Sequence, residues 1–162
     1  SGQSYGTMAE RPFPEIQRGR TKGRTEMPTL SGVHHIALTV TDVDRSVPWY
    51  ERVLGFTLVG KQDADAIGVR KAFLRGPGHA FSLTLVQHPY AAGSVFDEKR
   101  PGLDHLSFSV PDEACLTEWI DRLNEHGVMY SPITEENSAP GTSVIALRDP
   151  DGIQLVLWAE KP

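Results

Sequence analysis

The strongest constraint on this chain is an internal repeat with an offset of 70 residues. His35, Asp42, Trp49 and Arg52 recur in one register as His105, Asp112, Trp119 and Arg122. The offset then becomes 72, where Gly55 matches Gly127 and Leu83-Thr84-Leu85 matches Leu155-Val156-Leu157, so two residues are inserted late in the second helix. Two copies of so long a period indicate a duplicated half-domain and not a solenoid.

Each half reads as strand, helix and three strands. In His34–Val40, Ile36, Leu38 and Val40 alternate with His35, Ala37 and Thr39, the period of a strand with one packed face. Asp42, Asp44 or Ser46 can cap the helix that follows; Trp49 and Val53 share one face of it, and Gly55 ends it. Three strands are predicted at Phe56–Lys61, Val69–Arg75 and Ala80–Gln87, the last two parted by Gly76-Pro77-Gly78. In the second half, Leu103–Val110 alternates in the same way. Leu116, Trp119, Ile120 and Leu123 form an amphipathic stripe that stops at Gly127, and strands are expected at Val128–Ser131, Ser143–Arg148 and Ile153–Ala159. Asp149-Pro150-Asp151-Gly152 forms the turn before the last strand. The fold class is α+β, with two βαβββ modules at 33–87 and 103–160 joined by a linker, 88–102. Residues 1–32 are rich in Gly, Pro, Arg and Thr and lack periodicity, so they read as a poorly ordered tail; its Ser1-Gly2 start looks like a cloning scar.

Composition excludes several classes. The 162 residues hold 16 Lys and Arg against 21 Asp and Glu, a net charge of -5. The tail carries a net +2, which leaves -7 on the rest. A body that acidic does not suit a phosphate backbone, so no nucleic-acid partner is expected. No stretch is long and apolar enough to span a membrane, so none is expected there either. The single Cys115 permits neither an internal disulfide nor a cysteine-rich metal site, and the expected setting is the cytoplasm.

Three stretches and the Asp149–Gly152 turn resemble the vicinal oxygen chelate, or glyoxalase/bleomycin-resistance/dioxygenase, superfamily. The stretches are His35-Ile36-Ala37-Leu38-Thr39-Val40-Thr41-Asp42, Trp49-Tyr50-Glu51-Arg52-Val53-Leu54-Gly55-Phe56 and Asp104-His105-Leu106-Ser107-Phe108-Ser109-Val110. The resemblance covers Val33 to about Ala159. It implies curved sheets that form an open barrel around a small-molecule cleft, and commonly a homodimer that pairs or swaps modules. It also implies four metal-ligand positions, held here by His35, Thr84, His105 and Val156. Thr84 is a weak ligand and Val156 has no donor, so the set is incomplete. A carboxylate to complete it would have to come from Glu98, Glu160 or a partner chain.

The strand pleat suggests a cleft lining without the family. On the faces opposite the apolar ones stand His35, Ala37 and Thr39; His105, Ser107 and Ser109; Ser82, Thr84 and Val86; and Gln154, Val156 and Trp158. The binding residues expected are Thr39, Ser82, Thr84, Ser107, Gln154 and Trp158. His35 and His105 have three competing roles: ligand contact, metal binding with an outside ligand, or metal-free acid–base catalysis. The first reading is a binding protein for a small, partly aromatic organic molecule, without a metal cofactor. The alternative is a lyase, isomerase or dioxygenase-like enzyme that uses His35 and His105 as ligands for Zn, Ni, Mn or Fe or as acid–base groups. His34 is expected on the opposite face from His35, His79 and His88 in exposed loops, Trp49 and Trp119 in the core, Cys115 as a small buried residue, and Asp149 and Asp151 as turn chemistry.

Overall fold

The computed structural model describes residues 27, 29–79, 81–137 and 139–160. The predicted tail lies almost wholly outside these, as does the side chain of His79. Val33–Pro162 forms one compact unit.

The first module runs β1 (Ile36–Thr39), α1 (Val43–Leu54), β2 (Thr57–Ala64), β3 (Val69–Arg75) and β4 (Ser82–Gln87). The second runs β5 (Leu106–Val110), α2 (Glu113–Glu125), β6 (Thr134–Glu135), β7 (Thr142–Arg148) and β8 (Gln154–Glu160). Each module makes its own four-stranded sheet, ordered β1-β4-β3-β2 and β5-β8-β7-β6, with the first strand parallel to the last. The two sheets are not hydrogen-bonded into a closed barrel.

Local chemistry sets the helix ends. Asp42 is extended, and its carboxylate accepts the N–H groups of Asp44 and Arg45, which fixes the start of α1. Gly55 ends the helix at φ 72°, where its N–H reaches the Glu51 carbonyl and that of Phe56 reaches Tyr50. Asp112 caps α2 through the N–H of Cys115.

Three expectations need correction. First, no strand forms at Val128–Ser131; a single bridge joins Tyr130 to Leu147, and the edge strand is the two-residue β6 further on. Ser131 meets β7 instead by donating its N–H to the Ala146 carbonyl and accepting the Ala146 N–H on its hydroxyl oxygen, and Pro132 follows with no N–H for a ladder. Second, β1 and β5 begin one residue after His35 and His105, so both histidines precede their strands. Third, His34 does not face away from His35. Outside the strand the pleat no longer separates neighbours, and the two rings stand edge to face with Nδ1 atoms 2.9 Å apart.

The core is a single cluster drawn from both modules, with Leu38, Leu74, Leu83 and Leu85 from the first and Ile145, Leu147, Leu155 and Leu157 from the second. All of these are at most 4% exposed. Both sheets thus bury the face that carries the helix. Trp49 and Trp119 pack against this core half-buried.

Candidate functional site

The modules are fastened to each other by polar contacts at α1. The buried Tyr50 hydroxyl donates to Asp149 Oδ2 at 2.9 Å. Asp149 Oδ1 accepts the N–H groups of Asp151 and Ile153 at 2.9 and 2.8 Å. Asp151 accepts from the Thr41 N–H, the Thr41 hydroxyl, Arg45 at 2.7 Å and Ser46 at 3.1 Å. Arg122 donates to the carbonyls of Arg52 and Val53 at the end of α1. Asp149 and Asp151 therefore do more than shape a turn: they tie the second module to the first. Burial holds the Asp149 carboxyl above its ordinary range, and burial beside that carboxylate pushes the Tyr50 phenol well above 10.

Because the helix-bearing faces share the core, the predicted binding residues lie on the opposite faces. Thr39 and Ser107 are exposed, and Ser82, Gln154 and Trp158 half-buried. Thr84 and Val156 occupy equivalent central places, between Ala37 and Phe73 in one sheet and between Ser107 and Ala146 in the other. They are only 7% and 8% exposed, packed into the sheet surface.

Both candidate histidines are exposed, and each is engaged by its own sequence neighbour. His35 meets His34, while His105 Nδ1 lies 2.5 Å from Asp104 Oδ1. A carboxylate on Nδ1 fixes the ring and leaves Nε2 as the free nitrogen. Among the described residues no three His, Cys, Asp or Glu side chains gather to hold a metal ion. Glu98, considered as an outside ligand, is engaged by Arg148 through two contacts of 2.9 and 3.1 Å, and that guanidinium holds its carboxyl down at about 2. Among the described residues, the donors of one chain thus do not fit the metal centre that the resemblance implies. Cys115 is half-buried rather than buried, with its thiol raised by desolvation.

An apolar cavity of about 440 Å³ lies between the modules on the helix side, lined by Ile36, Leu54, Phe56, Phe81, Phe108 and Trp119 among others. Of the predicted binding residues, Ser107 alone borders it. Phe56, Phe81 and Phe108 form a triangle of rings with centroids 5.6 to 6.0 Å apart.

Sequence reasoning missed two features of the outer faces. One is Asp104 beside His105, which adjacency alone could have suggested. The other is a pair of matching rows. Arg75 pairs with Ser82 across β3 and β4, and one step back from the Ile36–Leu83 pair stands His35. Arg148 pairs with Gln154 across β7 and β8, and one step back from the Leu106–Leu155 pair stands His105. Each module thus carries a His, a polar residue and an Arg in one row, an equivalence that the repeat offsets of 70 and 72 miss, because Arg75 and Arg148 are 73 apart and only the strand pairing aligns them.

A duplicated βαβββ fold with polar sheet faces and paired histidines defines a class of small α+β proteins built around a two-module unit. The family comparison is specific: residues 32–157 match the Glyoxalase/Bleomycin resistance protein/Dioxygenase superfamily, and the chain belongs to it. It is 29% identical over 131 residues to catechol-2,3-dioxygenase of Bacillus subtilis (strain 168), covering 80% of this chain but only 42% of that protein. It is 30% identical to the uncharacterized protein YaeR of Escherichia coli (strain K12), covering 81% of this chain and 98% of YaeR. The crystal structure of a glyoxylase/bleomycin resistance protein/dioxygenase domain from Frankia sp. EAN1pec superposes with a TM-score of 0.73 at 36% identity, covering 82% of this chain and 94% of that one.

Proposed function

We propose that this protein binds a small organic molecule on the polar sheet faces of its two modules, without the metal centre typical of its superfamily. The observation that carries the reading is the pair of central positions. Where a ligating carboxylate is expected, Thr84 and Val156 are packed into the sheet, and neither supplies an anionic donor. His35 and His105 then serve as hydrogen-bonding groups, beside the hydroxyls of Thr39, Ser82 and Ser107, the amide of Gln154 and the indole of Trp158. A second copy of the chain completes the cleft. Supporting this, β1 and β5 are both edge strands, and the faces that bear the binding residues are not the ones buried between the modules. The single half-buried thiol is consistent with a reducing, cytoplasmic setting.

The test is elemental analysis of the purified protein beside a His105→Ala variant. Well under one divalent ion per chain in both is expected. A tightly held stoichiometric metal that His105→Ala removes would overturn the reading.

The Asp104–His105 contact favours a second reading, metal-free acid–base catalysis at His105 Nε2. Its test is turnover of an identified substrate by Asp104→Asn and His105→Ala; unchanged turnover in His105→Ala excludes it.

A further inference from the structure

The two matching rows differ in one respect. Arg148, in the second module, is occupied: Glu98 of the linker meets it through both carboxylate oxygens, and Arg148 Nη1 also donates to the Gly152 carbonyl at 2.9 Å. Arg75 stands at the equivalent place in the first module, exposed, and among the described residues its guanidinium has no hydrogen-bond or ion-pair partner. Duplication has therefore put a guanidinium at the end of each row, and the chain itself shows what one of them takes, a carboxylate held by two nitrogens.

The surroundings of Arg75 define the rest of the ligand. Phe73 lies two residues along β3 on the same face, half-buried, roughly 7 Å away by strand rise. It is flanked across the sheet by Gly60 and Thr84. Gly60 leaves the ring open on one side, and Thr84 offers a hydroxyl on the other.

We propose that Arg75 is an anion anchor, and that the ligand is an aryl carboxylic acid whose carboxylate Arg75 holds as Arg148 holds Glu98, with its ring over Phe73. This rests on the small-molecule reading above and narrows it to a substrate class. Arg75 acts by charge and by its planar fork, so a neutral amide of the same shape loses the interaction while keeping the contact with the ring.

The experiment titrates the full chain with benzoate and phenylacetate and with their amides, benzamide and phenylacetamide. Nitrogen-resolved NMR follows the Nε–Hε signals of Arg75 and Arg148 and the backbone of β3 and β4. The acids should bind about tenfold or more tightly than the amides, the ratio expected of a charge-assisted contact. They should shift the Arg75 signal and weaken with added salt. Arg75→Gln should reduce the advantage of the acids to about twofold or less, and Arg148→Gln should leave it intact. Equal binding of acids and amides, or an advantage unchanged in Arg75→Gln, overturns the anchor and leaves the small-molecule reading in place. No perturbation of β3 and β4 by any of the four probes overturns both. The wild-type titration decides the matter even if a variant folds poorly.

Discussion

Tyr50→Phe tests whether the polar clasp between the modules stabilises the fold. Tyr50 is fully buried, and its hydroxyl is the group that satisfies Asp149 Oδ2. Phenylalanine keeps the ring, with its edge-to-face contacts to Trp49 and Phe56 at 5.1 and 5.7 Å. What is lost is one hydrogen bond to a carboxylate that is 5% exposed and unable to find water instead. Removing such a partner costs about 2 kcal/mol. For a folded unit of this size that corresponds to a fall of roughly 6–8 °C in Tm. Asp149→Asn should cost less, about 1 kcal/mol, because the amide oxygen can still accept the two backbone N–H groups while its NH2 donates to the Tyr50 oxygen. The pH dependence gives a second readout. Burial raises the Asp149 pKa in the folded state, so the folded chain holds this proton longer than the unfolded one does. The Asp149 contribution therefore falls as pH climbs from the ordinary 3.8 through the raised value, then levels off. Asp149→Asn should remove that decline. Urea denaturation at several pH values measures each quantity, with the m-value as a check on two-state behaviour. A Tyr50→Phe loss below about 0.5 kcal/mol would refute the view that this hydroxyl is an obligatory partner of a buried carboxylate.

Two further outcomes follow from particular contacts. The Glu98 carboxyl should titrate near 2, and Arg148→Gln should return it toward the ordinary 4.5, as read by carbon NMR of the side chain; the pair is intact above about 4.5 and is lost as pH falls through about 2. Gly55→Ala should destabilise by about 1 kcal/mol in urea, because the residue sits at φ 72° while its added Cβ would meet Pro77 at an ordinary 3.7 Å, so the cost is backbone strain alone.

The elements legible in the sequence were those whose signals are local. Strand alternation from Ile36 and Leu106, a cap among Asp42, Asp44 and Ser46 and the stop at Gly55 are each written within a few residues, and each is found in the structure, with Asp42 as the cap. Val128–Ser131 misled because an apolar, β-prone run shows propensity but not which neighbour offers a ladder; Pro132 and the side-chain bond from Ser131 decide that. The joining of the modules was not legible. Nothing near Tyr50 names Asp149 as its partner 99 residues away, and the Asp149–Gly152 turn has the same sequence whether or not it docks on α1.

The outer faces show why the site was only half visible. The ligand set that the family resemblance implies pairs His35 and His105 with one donor at the middle of each sheet, beside β1 and β5. There the chain carries Thr84 and Val156, nearly buried side chains that continue the sheet surface. The polar groups lie one step nearer the strand ends, in the rows His35–Ser82–Arg75 and His105–Gln154–Arg148. On the proposed reading, such groups recognise charge and hydrogen-bonding pattern in a ligand. Within the rows, the duplicated positions kept His and Arg, but the linker supplied Glu98 to one Arg and not to the other. An internal carboxylate on Arg148 removes one anion site from competition, because a ligand acid would have to displace an ion pair already formed through both oxygens. Under the proposed Arg75 anchor, binding is thereby biased toward the module whose arginine is open. A symmetric fold acquires an asymmetric face in this way through a linker residue that belongs to neither repeat.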